Sequence, residues 1–256
     1  MSITAEFIHI NKHFKGANYK ALDEVNLSIR EGELVTILGT SGCGKTTLLK
    51  LVNRIYDPDS GEIRLFGQNI QEMDPVKLRR SIGYVIQQVG LFPHMTIYNN
   101  IATVPKILGW DKEKIRKREE ELFRLVNLEY KEFKDRYPAQ LSGGQQQRIG
   151  LARALAADPS LMLLDEPFGA IDAINREKLQ DELLRIHEAS KKTFLFVTHD
   201  INEAFKLGTR VLIMDKGQVK QFDTPEAIIK NPADEFVESL IRSASKQYFI
   251  TDGGGI

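Results

Sequence analysis

Four short apolar runs, "LVTIL", "LMLL", "FLFV" and "VLIM", recur along the chain, each bounded by charged or turn residues and separated by stretches of helical periodicity. Apolar runs this short, without alternation, are what strands buried on both faces look like. Their separation by helical patterns predicts parallel strands in an α/β fold. Ahead of and between them, "EFIHINKHF" and "KALDEVNLSI" alternate apolar with polar residues, and "SGEIRLFGQNI" reads as a turn followed by a half-buried strand. These segments predict an antiparallel sheet with one wet face. From "PVKLRR" to "LARALAAD" helices dominate. In "KEKIRKREEELFRLVNL" the apolar positions Ile115, Leu122, Leu125 and Val126 share a face, and the Lys, Arg and Glu between them form a solvated one. Near the end "DKGQV" predicts the turn of a hairpin, and "DTPEAIIK" a helix with Thr224 as N-cap and Pro225 at its first position. The final "TDGGGI" predicts a loose tail.

The chain's 256 residues suffice for one large α/β domain or two small ones, and no internal repeat or obvious linker divides them. Lys plus Arg and Asp plus Glu both number 35, so the formal net charge is zero. That balance argues against a duplex-binding stripe or a polybasic membrane anchor. A single cysteine, Cys43, and an N-terminus without a signal-peptide pattern point to a reducing interior. Since a spanning helix needs about 20 apolar residues, any membrane role is expected to come through a partner.

Candidate chemistry starts at "LGTSGCGKTTLL". Gly39, Gly44, Lys45 and Thr46 satisfy G-x-x-x-x-G-K-[ST], with an apolar strand before and a helix pattern after. Small residues from Gly39 through Thr40, Ser41, Gly42 and Cys43 to Gly44 let consecutive backbone N–H groups face phosphates, and the following helix adds its positive end. Lys45 supplies a charge for the β and γ phosphates, and the Thr46 hydroxyl, followed by Thr47, is a ligand for Mg²⁺. An ordinary glycine turn is the competing reading. For Cys43 the plain role is that of a small residue lining the loop. Its closeness to Lys45 and a helix N-terminus predicts a lowered thiol pKa and loss of nucleotide binding on alkylation.

In "LMLLDEP" a strand ends at Asp165, placed to hold Mg²⁺ through water, and Glu166 follows as the group that accepts a proton from, or orients, the attacking water. A solvated strand end is the alternative. The segment "LSGGQQQRIGLARALAAD" puts Ser142, Gly143, Gly144 and Gln145 before an apolar helical stripe of Ile149, Ala152, Leu155 and Ala156. This is either a second phosphate-binding helix N-terminus or simply a serine cap with two flexible glycines.

With "LSGGQ" between the glycine-rich loop and "LMLLDEP", the sequence resembles the ATP-binding-cassette (ABC) ATPases over roughly residues 3 to 240. By that resemblance Gln87 in "YVIQQ" is the Q-loop glutamine and a further Mg²⁺ ligand, and Asp172 ends the D-loop "GAID". His199 in "FLFVTHD" is the switch histidine, which touches the γ phosphate, although a histidine at a strand end is more often structural. Phe14, with Tyr19 as second choice, is the aromatic residue that stacks on adenine. His9, His13 and His187 carry no motif and read as surface or satisfied positions, and His94 in "LFPHMT" as part of a loop facing a membrane subunit.

The resemblance implies a P-loop NTPase of ABC type, with a RecA-like parallel-sheet core, an antiparallel β part and an inserted helical subdomain. The expected boundaries are one domain over 1–245, with the core in about 1–88 and 160–245, the helical subdomain in about 89–159, and a tail over 246–256. It also implies ATP and Mg²⁺ as ligands and an ATP sandwich with a second copy of the chain. The further partners would be transmembrane permease subunits and, indirectly, an extracytoplasmic substrate-binding protein. The chain would then sit on the cytoplasmic face of the membrane through the permease.

The strings "GYVIQQVGLFPHMTIYNNIATVPKILGW" and "LARALAADPSLMLLDEPFGAIDA" are most similar to importer cassettes for quaternary amines, the glycine betaine, choline and carnitine group. Many such relatives continue into paired cystathionine-β-synthase-type regulatory domains, whereas this sequence ends soon after "FVESLIRSASKQYF". An importer cassette for an unrelated small solute is an alternative. A cassette ATPase acting on nucleic acid or ribosomes would need a coiled-coil insertion, a second cassette or a basic face, and a small-molecule kinase would have no "LSGGQ". Nucleic acid is therefore not an expected partner.

Overall fold

A computed structural model describes residues 2–87, 90–169 and 171–248. It divides into two compact units, Met1–Glu72 with Leu195–Ile256, and Met73–Phe194.

The first unit opens with β1 (Ile3–His13) and β2 (Lys20–Arg30), then β3 (Leu34–Gly39), α1 (Lys45–Val52), β4 (Ser60–Leu65) and β5 (Gln68–Asn69). Strands β2, β1, β4 and β5 form, in that order, an antiparallel sheet. In β2 the inward positions Leu22, Val25, Leu27 and Ile29 are buried while neighbours such as Glu24, Asn26 and Ser28 are exposed, the alternation read from the sequence. Strand β3 differs: all six residues are buried, because strands with neighbours and helices on both sides leave no face to water.

The second unit holds α2 (Pro75–Arg80), β6 (Ile82–Val85), α3 (Ile97–Ile107), α4 (Lys112–Leu125), α5 (Tyr130–Phe133), α6 (Gly143–Leu155), β7 (Leu161–Asp165) and α7 (Ala173–Ser190). Strands β6 and β7 run parallel, Tyr84 beside Leu163 and Val85 beside Leu164. Helix α4 starts where the Asp111 carboxylate accepts the Lys114 N–H at 2.8 Å. It buries Ile115, Leu122 and Phe123 as its periodicity requires, and Glu119 with them. The Ile149, Ala152 and Leu155 stripe of α6 is likewise buried.

The division falls inside β8 (Thr193–Val197), after which the first unit resumes with α8 (Ile201–Leu207), β9 (Arg210–Asp215), β10 (Gln218–Asp223), α9 (Pro225–Lys230) and α10 (Glu235–Tyr248). Strand β9 lies parallel to β3 and turns back into β10 through Lys216 and Gly217, both at positive φ (46° and 81°). Two central residues in that region make the tight hairpin turn expected at "DKGQV". Helix α9 is capped by the Thr224 hydroxyl, which accepts the Ala227 N–H at 3.3 Å, with Pro225 at its first position. The apolar face of α10, Phe236, Val237, Leu240 and Ile241, packs with Ala204, Val211, Ile213 and Ile228. Of the tail expected over 246–256, the segment from 249 on lies outside the described residues, as do Gln88 of "YVIQQ" and Ala170 of "GAID". Among the described residues no helix is long and apolar enough to cross a membrane.

Candidate functional site

In the first unit, β3 delivers the glycine-rich loop and α1 begins at Lys45. The glycines are steric necessities. A Cβ on Gly39 would lie 2.1 Å from the Met214 carbonyl oxygen and 2.6 Å from the Cys43 Sγ. At Gly44, which sits at φ 105°, a Cβ would lie 2.3 Å from the Ala21 oxygen. Gly44 is also the N-cap of α1 and offers no capping side chain, and no acidic residue occupies the first turn. The cap therefore contributes nothing that competes with an anion for the positive end of the helix.

Lys45 is only 6% exposed, and its Nζ donates to the carbonyls of Gly39 (2.8 Å) and Thr40 (3.0 Å), so the ammonium is held folded across the loop. Thr40, Ser41 and Gly42 are exposed, whereas Thr46 and Thr47 are half-buried on the first turn of α1. The Thr40 hydroxyl reaches Asp215 at 3.4 Å, a partner from β9 that no motif announces. Cys43 corrects the expectation of a lowered thiol pKa. It is 2% exposed, and burial pushes its thiol up, outweighing the opposite pull of Lys45.

His199 lies in the same unit, exposed in the turn between β8 and α8. The Thr198 N–H donates to the Ile37 carbonyl at 3.1 Å, which places this turn beside the end of β3 from which the loop springs. Asp200 starts α8 by accepting the N–H groups of Asn202 and Glu203. Phe14 is half-buried, its ring edge-on to Tyr56 with centroids 5.1 Å apart, while Tyr19 is 64% exposed. His9 pairs with Glu24 (2.9 Å) and the His13 ring lies 2.8 Å from the Ala17 carbonyl, in keeping with plain structural positions.

In the second unit β7 ends at Asp165, and Glu166 follows at φ 46°, a left-handed conformation uncommon for a residue with a side chain. The Gln87 Nε2 donates to the Glu166 Oε2 at 3.4 Å, a contact that the motifs did not announce. Tyr84, which sequence reasoning passed over, lies on the neighbouring strand; burial, and then the negative charge of Asp165, push its phenol up to about 12. Asp165 and Gln87 offer carboxylate and amide oxygens, donors suited to a hard cation. Among the described residues no three His, Cys, Asp or Glu side chains converge as a cage. Mg²⁺ needs no such cage, since it keeps waters and takes up substrate phosphates.

A second candidate surface of this unit surrounds the N-terminus of α6. Here the cap is complete: the Gln145 N–H donates to the Ser142 hydroxyl (3.3 Å) and the Ser142 N–H to the Gln145 side chain (2.9 Å). Ser142, Gly143 and Gly144 line an open pocket of about 380 Å³ together with Asp172, Arg148 and Lys178. Asp172 is itself the N-cap of α7, its carboxylate accepting the backbone N–H (3.1 Å) and side-chain amide (2.8 Å) of Asn175. The structure thus brings the signature serine and glycines and the D-loop aspartate to one pocket. Arg148 and Lys178 are additions that the motif pattern did not single out. His187 packs edge-on against Phe194, centroids 5.0 Å apart, in a structural role.

The sequence matches the family described as ABC transporter over residues 22–169. It is 53% identical over 232 residues to the glycine betaine/carnitine/choline transport ATP-binding protein OpuCA of Bacillus subtilis (strain 168), covering 91% of this chain and 60% of that protein. To the osmoprotectant import ATP-binding protein OsmV of Salmonella typhimurium (strain LT2) it is 53% identical, over 89% of this chain and 59% of that one. The chain therefore spans about 60% of the length of such relatives. Its fold is similar to that of the ATP-binding cassette MJ0796, solved as a dimer in a post-hydrolysis state with ADP and Pi. That likeness has a TM-score of 0.74 at 36% identity and covers 86% of this chain and 98% of the other. The loop of the first unit, the strand-end acids and capped helix of the second, and these likenesses agree: the chain belongs to the ABC transporter family, as its ATP-binding cassette.

Proposed function

We propose that this chain binds and hydrolyses ATP to power an importer of a quaternary amine or a related compatible solute. The observation that carries this reading is the presence, on one chain, of two unlike helix N-termini. Helix α1 has a lysine and an uncapped glycine start; α6 has a capped Ser-Gly-Gly start and no lysine. Two anion sites and one P-loop are accounted for if ATP lies between two copies, the Lys45 loop of one facing the Ser142–Gly144 turn of the other.

In this sandwich the loop N–H groups and Lys45 hold the phosphates, with Phe14 against adenine. Bound Mg²⁺ supplies charge neutralisation at the β and γ phosphates, and Thr46, Gln87 and Asp165 are the residues to hold it. Glu166 orients the attacking water and accepts its proton, Gln87 steadies that carboxylate, and His199 contacts the γ phosphate. Ser142, Gly143, Gly144 and Gln145 of the second copy close the site, and Asp172 links the two copies. Closure on ATP and release after hydrolysis drive the permease, which a substrate-binding protein serves from the far side.

A groove of about 290 Å³ in the second unit, walled by Arg79, Arg80, Phe92, Val104 and Arg153, supports a permease contact there, with His94 beside Phe92 (6.2 Å between ring centroids). The quaternary-amine cargo rests on what the relatives named above transport. Through such a permease the chain would sit on the cytoplasmic face of the membrane.

The test is Glu166→Gln. It removes roughly 10²–10⁴ of turnover, the range for losing a general base, while ATP binding persists and a dimer accumulates in light scattering with ATP. A variant that binds ATP and stays monomeric at every concentration overturns the sandwich.

A further inference from the structure

The chain that leaves the helix of the glycine-rich loop returns to Phe14 within the same unit. After α1 the backbone turns at Arg54, φ 48°, and the Lys50 carbonyl accepts the N–H groups of Ile55 (2.9 Å) and Tyr56 (3.4 Å). Tyr56 is thereby moored to the last turn of the helix that begins at Lys45. Its ring meets the Phe14 ring edge-to-face, with centroids 5.1 Å apart and planes at 76°. Aromatic pairs favour this arrangement, because the positive edge of one ring meets the negative face of the other.

Phe14 lies in the turn beyond the last ladder pair of β1 and β2, His13 with Lys20, where the Ala17 N–H donates to its carbonyl at 3.0 Å. Asp59, also from the segment after α1, fastens the end of β1. Its carboxylate accepts from the Lys12 ammonium at 2.8 Å and from the His13 N–H, and its own N–H donates to the Asn11 carbonyl at 2.9 Å. Those bonds grip the neighbours of Phe14. The Lys12 ammonium comes within 5.7 Å of the Phe14 centroid, and the contact that reaches the ring from the α1 side is Tyr56. Both aromatic residues are half-buried, so part of the Phe14 ring remains open to a ligand.

We propose that Tyr56 is a positioning residue for the nucleotide base: its ring holds Phe14 in the orientation that receives adenine and ties that platform to the helix behind the phosphate loop. This rests on the reading of Phe14 as the aromatic residue against adenine. A side chain immobilised on binding loses freedom, and that loss weakens affinity unless the side chain is ordered beforehand. Without Tyr56 the Phe14 ring is ordered only as the nucleotide arrives. The cost then falls on ligands that carry a base and spares bare phosphates.

The experiment is Tyr56→Ala, with Tyr56→Phe as the variant that keeps the ring. Affinity for ADP with Mg²⁺ is read by titration calorimetry, and affinity for inorganic pyrophosphate by its competition with ADP. The expected result for Tyr56→Ala is a loss of about 5-fold in ADP affinity with pyrophosphate affinity unchanged, while Tyr56→Phe stays within about twofold of the parent. ADP affinity of Tyr56→Ala within about twofold of the parent, or an equal fall for pyrophosphate, overturns the proposal. So does a Tyr56→Phe variant as weak as Tyr56→Ala, which would assign the effect to the hydroxyl. Phe14→Ala separates the two claims. In its background Tyr56→Ala should weaken ADP binding no further, and a full further loss overturns the positioning role. If Phe14→Ala weakens ADP binding while Tyr56→Ala changes nothing, only the positioning role fails. If Phe14→Ala itself leaves ADP affinity unchanged, the adenine assignment beneath it fails.

Discussion

Replacing Glu119 by glutamine should abolish a steep alkaline loss of stability. Glu119 is 1% exposed on α4, and neither carboxylate oxygen has a hydrogen-bond partner. The cations nearby are engaged elsewhere. Lys106 of α3 donates to Asn99 at 2.7 Å and lies 5.3 Å over the Tyr98 ring. Lys134, beside α5, pairs with Asp135 at 2.8 Å and lies 6.0 Å over Tyr130. Burial therefore dominates the pull of both lysines and raises the carboxyl from 4.5 to about 8, so the folded protein keeps it neutral at pH 7.

For a carboxyl raised in this way the folded state binds more protons than the unfolded chain between the two values. Stability is then full below about pH 4.5, falls as pH rises, and levels off above about pH 8. At ~1.36 kcal/mol per pH unit the whole span is worth about 5 kcal/mol, of which about 4 kcal/mol lies between pH 5 and pH 8.5. Glutamine fills the same space and cannot ionise. Urea unfolding of the parent and of Glu119→Gln at pH 5 and pH 8.5 should show the variant gaining about 4 kcal/mol relative to the parent across that interval. A difference between the two proteins that stays constant with pH, within about 1 kcal/mol, refutes the argument, for it would mean that the carboxylate finds solvation or a partner when it ionises.

Two further outcomes follow from the glycine-rich loop. Lys45→Ala removes the one ammonium folded over the Gly39 and Thr40 carbonyls, so ATP affinity by equilibrium titration should drop at least 10-fold; unchanged affinity contradicts the phosphate role. Cys43, buried and with its thiol pushed up, should react with iodoacetamide far more slowly than a model thiol at pH 7.5, and a rate equal to the model's would show that the loop opens readily.

The parts of this molecule legible in its sequence are those where local pattern and burial coincide. Strand β3 reads as "LVTIL" because burial on both faces leaves one polar side chain, Thr36, whose hydroxyl donates to the Ala204 carbonyl, and the turn at Lys216 and Gly217 reads as a turn because a two-residue hairpin needs positive φ. The charge-rich α4 shows where pattern reading stops. Ile115, Glu119 and Leu122 follow the i, i+4, i+7 spacing of a buried stripe, yet a glutamate amid lysines and arginines reads as solvated. Only the packing of α3 and α5 around it reveals otherwise. Tyr84 was invisible for a different reason. Its place beside Leu163, near Asp165, is set by the register of β6 against β7, a pairing between segments about 80 residues apart that no local spacing encodes. The thiol of Cys43 was misjudged because sequence proximity to Lys45 is visible and burial is not. The family motifs locate Ser142, Gly144 and Asp172 one by one, whereas their gathering at one pocket, with Arg148 and Lys178 in its wall, comes from the folding of α6 and α7.

The central claim, that the Lys45 loop works with the Ser142 turn of another copy, is tested most directly by mixing two inactive variants, Lys45→Ala and Ser142→Arg. In a head-to-tail pair of one of each, both lesions fall in the same site and the other site retains its own Lys45 and a sound Ser142. ATPase activity, absent from either variant alone, should return on mixing, up to about half of the parent's activity per mixed dimer if each site turns over independently. No recovery on mixing, with both variants folded and mixed dimers demonstrated, would contradict it and place loop and turn in the same copy.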